Sequence, residues 1–436
     1  MIANHELGLQ TDHAIAKPWI VCMGGEDWWY HSHAHFDIQV MKRLAQRCRV
    51  LYVCSIGMRM PSLRKDAQFW KRIGNKLQSV QHALQRVQPN LWVYSPLPVP
   101  LYQWRWGRSI NRSILRIQLR IVFDRLGIRK PIFWINTPTA WPVVETISRH
   151  GLIYQRTDEY AEYGFDNFNT AYVRAVDQEL LTKADLILHV DSDLHERAAQ
   201  HTSNTLLLEQ GVDEAFFMDD SDIAPLPSDW PSVSGPIIGY VGTLDPHKFD
   251  AELVYRTAIQ LPECQFVIIG PEHQNAMILK KLKNVYFLGA KPHGIVAQYI
   301  RKFDVCILPT ARTSWGLHCR PIKLMEYLAA GKPVVATRTP AAESFREFVS
   351  IAETADEWIL ELRRILVNGR TVSDKIKQRL SRCTWNQQVD RIWRILQDRN
   401  LFAVNNHEGS DTHKSTEAID QKSNSQPIRS TMVIEK

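Results

Sequence analysis

Three charged residues, Arg320, Lys323 and Glu326, recur at steps of three in the stretch CRPIKLMEYLAAGKPVVAT, residues 319–337. In a helix each such step turns about 300° around the axis, so the three share one arc, while Ile322, Met325, Leu328 and Ala329 occupy another. A helix starting near Arg320 or Pro321 would present unpaired amides and a positive dipole end, both suited to an anion. Proline in the first turn removes a donor that has no partner there anyway. Glu326 would lie roughly 9 Å along the axis from Arg320. A phosphate at the helix end and a ribose diol at Glu326 would then match a nucleoside diphosphate. The competing reading is a surface pair between Lys323 and Glu326, worth a few tenths of a kcal/mol.

Two other stretches hold residues able to do chemistry. The loop GGEDWWYHSHAHFD (24–37) carries His31, His33 and His35, which could bind a metal, relay a proton or contact a phosphate. No carboxylate or cysteine cluster accompanies them, so the metal signal is weak and no metal site is expected. Asp158 and Glu159, in YQRTDEY, follow a strand-like run and fit either contact with acceptor hydroxyls or a cap on the next segment.

The elements that must place these residues are alternating apolar runs and amphipathic helices. WIVCMGG, RVLYVCS, NLWVYSP, PIFWINT, GLIYQRTDE, ADLILHVDS and TLLLEQG read as strands, and a second series begins with PIIGYVGTL and continues through CQFVIIGP, NVYFLGA, DVCILPT and KPVVAT. Continuous apolar strands separated by helices predict parallel sheets covered on both faces. The fold class expected is α/β, with two tandem Rossmann-like doubly wound domains. Residues 1–17 are expected to be a disordered N-terminus, 18–212 an N-terminal domain and 213–235 an Asp-, Pro- and Ser-rich linker. Residues 236–384 would form a C-terminal domain, 385–404 a final helix packing back toward the N-terminal domain, and 405–436 a polar disordered tail. In open sheets of this kind ligands bind beyond the carboxyl ends of the strands, and the 319–337 stretch follows CILPT directly.

The 436 residues, 44% hydrophobic and 23% charged, suit a globular protein of two domains. No apolar run approaches the roughly 20 residues of a membrane-spanning helix, and the opening residues do not read as a signal peptide. Seven cysteines without a C-x-x-C pair fit reduced thiols in the cytoplasm. The net charge of +7 is uneven: between Arg59 and Lys130 fifteen Lys or Arg face two acids, giving +13 there and −6 elsewhere. Within that segment Arg105, Arg108, Arg112 and Arg116 alternate with Ile110, Ile114, Ile117 and Ile121, preceded by Trp104 and Trp106. Such a helix suits an anionic membrane surface. Alternatively, the isoleucines pack on the first sheet and the arginines face water.

The order and spacing of GYVGTL, FVIIGP, NVYFLG, FDVCILP and RPIKLMEYLAAGKPVVAT resemble the C-terminal half of GT-B glycosyltransferases of the family 4, or group 1, type. The first half resembles the subgroup of cell-wall and exopolysaccharide synthesis through PIFWINTP, LIYQRTDE, ADLILHVDSDL and LLLEQGVDEAFF. The resemblance covers about residues 19–400. It implies an enzyme that transfers a hexosyl or related group from a nucleotide-diphosphate sugar to an acceptor hydroxyl, with retention of configuration, no cofactor and no catalytic metal. Leaving-group charge would be met by helix amides and cations. The acceptor it implies is a glycan or lipid-linked glycan at the inner face of the plasma membrane.

The family's E-x7-E motif places its ribose-binding glutamate at Glu326, but its sugar-contacting glutamate falls on His318. Its phosphate-binding G-R…K pattern retains Gly242 and Lys248, with Thr243 in place of the arginine. Arg320 and Lys323 are then candidates to supply positive charge. The resemblance also makes His35 a substrate contact and, with Asp158, a catalytic candidate. Two alternatives remain, a GT-B sugar-nucleotide epimerase and a basic nucleic-acid-binding α/β protein. No helix-turn-helix, zinc finger or aromatic RNA-binding signature supports the second, so no nucleic-acid partner is expected.

Overall fold

The computed structural model describes residues 17–29, 33–56, 82–98, 105–157, 167–190, 192–217, 227–313, 316, 322–369 and 372–402. His318 and Arg320, with the expected start of their helix, lie outside the described residues, as do His31, Asp158, Glu159 and both chain ends. Residues up to Phe402 belong to one compact unit.

That unit contains two sheets. The first comprises β1 (Trp19–Met23), β2 (Arg49–Val53), β3 (Leu84–Gln88), β4 (Leu91–Tyr94), β5 (Ile132–Ile135), β6 (Gly151–Arg156), β7 (Leu186–His189) and β8 (Thr205–Leu207), in the order β3-β4-β2-β1-β5-β6-β7-β8. All neighbours are parallel except β3 and β4. The second comprises β9 (Ile237–Val241), β10 (Gln265–Ile269), β11 (Val285–Phe287), β12 (Val305–Leu308), β13 (Val334–Ala336) and β14 (Ser350–Ile351), in the order β11-β10-β9-β12-β13-β14, all parallel. The fold is thus α/β with two doubly wound sheets.

Side-chain alternation explains why the strands read as unbroken apolar runs. Ile20 and Cys22 of β1 enter one core cluster while Trp19, Val21 and Met23 enter another, on the opposite face. In β10, Phe266 and Ile268 face one cluster, and Val267 and Ile269 the other. These central strands bury both of their faces, so no polar alternation survives in them.

Five helices matter for function: α1 (Phe36–Leu44), α2 (Arg105–Leu126), α3 (His293–Ile300), α4 (Ile322–Ala329) and α5 (Trp385–Asp398). Trp385, Val389, Ile392 and Leu396 of α5 share a core with Ile20, Phe36 and Met41 of the first lobe. The segment between the lobes contributes to packing: Phe216, in the short 3-10 helix Glu214–Phe217, is buried with Tyr299 and Leu324 of the second lobe.

Helix α2 departs from the reading in which its isoleucines pack on the first sheet. Leu115, Leu119, Val122 and Phe123 are its core contacts, while Trp106, Ile110, Ile117 and Ile121 are 55%, 42%, 60% and 62% exposed. Arg108, Arg112 and Arg116 make contacts within the fold. Arg116 donates from Nε to the Val143 carbonyl at 2.9 Å and from Nη2 to the Pro142 carbonyl at 2.7 Å. Arg112 and Arg116 both approach Glu145, and Arg108 lies over the Tyr172 ring.

Candidate active site at the ends of the two sheets

The first glycine turn, Gly24–Gly25, follows β1 and is organised by Asp37, in the first turn of α1. Asp37 is 1% exposed. Its Oδ2 accepts the Gly25 N–H at 2.9 Å, the Tyr52 hydroxyl at 2.9 Å and the Asn136 amide at 3.2 Å, and its Oδ1 accepts the Ile38 N–H at 2.9 Å. Four donors offset the cost of burying this carboxylate. A Cβ at Gly25 would stand 2.6 Å from Asn136 Nδ2, so a side chain there would displace the Asn136 amide from Asp37.

The histidines of this loop take different places. His35 occupies the N-cap position of α1 without capping it through its side chain; it is partly exposed, with Nδ1 3.8 Å from Glu26 Oε1. His33 turns inward against the Trp28 ring, with centroids 4.8 Å apart, and its Nε2 meets the Trp28 carbonyl at 3.0 Å. Lys42 Nζ lies 2.6 Å from His33 Nδ1. Burial lowers the His33 pKa, and the positive charge of Lys42 acts in the same direction against the bond to Trp28. The neutral ring fits this geometry, Nε2–H donating to the carbonyl and Nδ1 accepting from lysine. Among the described residues no group of three metal-binding side chains is assembled.

The second turn follows β9, and helix α4 is fixed against it because the Val241 N–H donates to the Tyr327 hydroxyl at 2.8 Å. That anchor brings Lys323 over the turn. Its Nζ donates to the Tyr240 hydroxyl at 3.1 Å and sits 4.6 Å from the centre of that ring. Gly242 adopts φ +148°, and a Cβ there would stand 2.1 Å from Lys323 Nζ. Thr243 beside it is exposed, and Lys248 is half-buried a few residues on.

Glu326 is not paired with Lys323, which excludes the surface ion-pair reading. It is 3% exposed, and its Oε1 lies 2.8 Å from Nε2 of His293, the first residue of α3. His293 Nδ1 in turn meets Gln39 Nε2 of α1 at 3.5 Å. The site therefore unites α1 of the first lobe with α3 and α4 of the second. Asp37, Gln39 and His293 were not among the residues picked out by the sequence. Only Asp37 left a trace there, as an acid in the first turn of a helix after a glycine pair.

Residues 235–404 match the family model described as Glycosyl transferases group 1. The whole fold resembles sucrose-phosphate synthase from Thermosynechococcus elongatus, with a TM-score of 0.64 at 16% identity over 89% of this chain and 100% of that one. It also resembles Anabaena Alr3699/HepE, solved in complex with UDP-glucose, with a TM-score of 0.62 at 16% identity over 87% of this chain and 100% of that one. The chain has the GT-B fold, and residues 235–404 are similar to a glycosyl transferases group 1 domain. Among curated proteins it is 28% identical over 231 residues to TuaH of Bacillus subtilis, assigned as a glycosyltransferase of teichuronic acid biosynthesis; the match spans 49% of this chain and 57% of that relative.

Proposed function

We propose that the protein transfers a sugar from a nucleotide-diphosphate donor to an acceptor hydroxyl in cell-envelope polysaccharide synthesis, with retention of configuration. The observation that carries this reading is that one short helix presents both a buried carboxylate, Glu326, and, one turn earlier, a cation over the Gly242 turn, Lys323. A ribose diol offers two hydroxyl donors, which a carboxylate accepts; a diphosphate needs cations, which Lys323 and Lys248 supply beside the Gly242 turn. HepE has been solved with UDP and with UDP-glucose, which makes UDP the first nucleotide to try. Replacing Glu326 by Ala should weaken UDP binding about tenfold to a hundredfold, since a hydrogen bond to a charged group is worth roughly 1.5–3 kcal/mol. Calorimetric titration is the test; unchanged affinity would remove Glu326 from the site.

With cations at the diphosphate, turnover is expected to persist in EDTA. Complete loss, restored by magnesium or manganese, would contradict this mechanism. For the acceptor, we propose a glycan or lipid-linked glycan met at the inner face of the membrane. No described helix is long and apolar enough to cross a membrane. Support comes from the stripe of Trp106, Ile110, Ile117 and Ile121, whose spacing of four, seven and four keeps it on one side of α2. Exposed Arg120, Arg125, Arg129 and Lys130 lie toward the end of the same helix and just beyond it. Near an anionic surface each basic residue contributes about 1 kcal/mol. The double substitution Ile117→Ser, Ile121→Ser should reduce sedimentation with anionic vesicles; equal sedimentation would favour a soluble acceptor.

A further inference from the structure

His293 links the two lobes through a chain of hydrogen bonds whose direction is fixed at its far end. Arg43 Nη1 donates to Gln39 Oε1 at 2.5 Å, while Arg43 Nη2 reaches Asp213 and Glu214 at 3.3 and 3.4 Å. With its oxygen so engaged, Gln39 presents its amide nitrogen both to the His33 carbonyl, at 2.5 Å, and to His293 Nδ1, at 3.5 Å. The Nδ1 atom therefore accepts, and the ring carries its proton on Nε2, which donates to Glu326 Oε1 at 2.8 Å. Arg43 thus sets Gln39, Gln39 sets the tautomer, and the tautomer sets the carboxylate.

We infer that His293 is a positioning residue for the nucleotide: it holds Glu326 in one orientation, with Oε2 left for the ribose hydroxyls, and makes that orientation depend on the seating of α1 against the second lobe. The inference rests on the ligand reading of Glu326 given above. A buried carboxylate without this donor would lose its one fixed oxygen and turn about its last bond, so the ligand would have to order it on binding.

The charges around the ring favour a second proton on it, against the acceptor role of Nδ1. Burial pushes the His293 pKa down, but the hydrogen bond to Glu326, the charge of Glu326 and that of Asp213 together push it up further, against Lys42, so the net direction is upward. His33 lies close enough to feel its charge. When His293 takes up a second proton, its pairing with Glu326 strengthens, but Nδ1–H then faces the N–H group of Gln39. Acidification therefore opposes the inter-lobe contact while keeping the carboxylate engaged.

The test is calorimetric titration of UDP into the full-length protein and its variants, each first checked for cooperative unfolding. His293→Leu should weaken UDP about tenfold, in the range of one hydrogen bond to a charged group. His293→Gln, whose amide can donate to Glu326, should recover most of that loss. The double variant His293→Leu, Glu326→Ala should bind no more weakly than Glu326→Ala alone, because the histidine acts through the carboxylate. Wild-type affinity in His293→Leu, or losses that add in the double variant, would overturn the inference and leave Glu326 as a nucleotide contact. Wild-type affinity in Glu326→Ala would remove the nucleotide reading of the site and this inference with it. Should His293→Leu fail to fold, Gln39→Leu carries the test from the other lobe. A loss of about twofold to tenfold supports the inference, as expected for one neutral hydrogen bond, and wild-type affinity overturns it.

Discussion

Each lobe begins with a strand that ends in a glycine turn, yet the two turns are built around opposite charges. After β1, the Gly25 amide is already given to the buried carboxylate of Asp37. After β9, the turn at Gly242 faces the ammonium of Lys323. Topology alone would make both turns candidates for a phosphate. Charge separates them: a diphosphate at the first turn would meet a fixed negative charge, whereas at the second it meets a cation. The first turn is a structural joint tying α1 to the sheet; in the second the Gly242 amide is likewise given, to the Ile269 carbonyl at 2.8 Å, and the difference lies in the cation over it.

The comparison is tested most severely at Asp37. Replacement by Ala removes the acceptor of the Gly25 amide and one acceptor each of the Asn136 amide and the Tyr52 hydroxyl, which keeps the Glu26 carbonyl at 3.2 Å, and a hydrogen bond to a charged group is worth roughly 1.5–3 kcal/mol. We expect a loss of about 3 kcal/mol or more, read as a lower midpoint in urea at unchanged slope. Stability close to wild type would mean that the first turn does not depend on its carboxylate.

Lys323→Met should show the reverse profile. The ammonium makes one hydrogen bond, to Tyr240, and a contact with its ring, so stability should change by about 1 kcal/mol or less. UDP affinity should nevertheless fall about tenfold, since a charge-assisted bond to phosphate is lost. If stability collapses while UDP binding in the surviving protein is normal, the second turn is a joint like the first.

The strands that build these turns were legible because a parallel strand buried on both faces leaves a continuous apolar run. What escaped were the edges. β3 reads LQRVQ and is mostly solvated, and β14 is the two residues Ser350–Ile351, so neither carries an apolar run to find. The site was legible to the same degree. Glu326, Lys323 and Gly242 stand out because they lie together in sequence or at a strand end. His293 and Gln39 gain their meaning from partners 33 and 254 residues away, and the run KPHGIVAQYI that contains His293 offers no charge pattern. His35 stood out in a motif of three histidines, but the structure gives the more enclosed position to His33. The membrane reading of α2 depended on the arginines, three of which make contacts within the fold, and the exposed isoleucines had been equally open to packing on the sheet. Periodicity identifies faces; it does not say which face meets the sheet when both are partly apolar.

The smallest effect expected lies where the two lobes meet, between His33 beside the first turn and His293 beside Glu326. Their pKa values move in opposite directions from the ordinary 6.5: down for His33, chiefly by burial, and up for His293, where the bonds and charges of its neighbours outweigh burial. A base with a raised value in the folded state stabilises the protein fully below pH 6.5 and loses that contribution as pH rises through the raised value. A base with a lowered value has the opposite effect, because the unfolded chain takes up its proton first as pH falls through 6.5. In the wild type the two partly cancel. His293→Gln removes the compensating member, so its unfolding midpoint should fall more than that of the wild type on going from pH 7.5 to 5.5. His33→Gln should fall less. Differences taken between each variant and the wild type across the pH series cancel the contributions of all other titrating groups that the substitution leaves untouched. Parallel curves for the wild type and His293→Gln would mean that the His293–Glu326 contact contributes no pH-linked stability, even if it orients the carboxylate for the nucleotide.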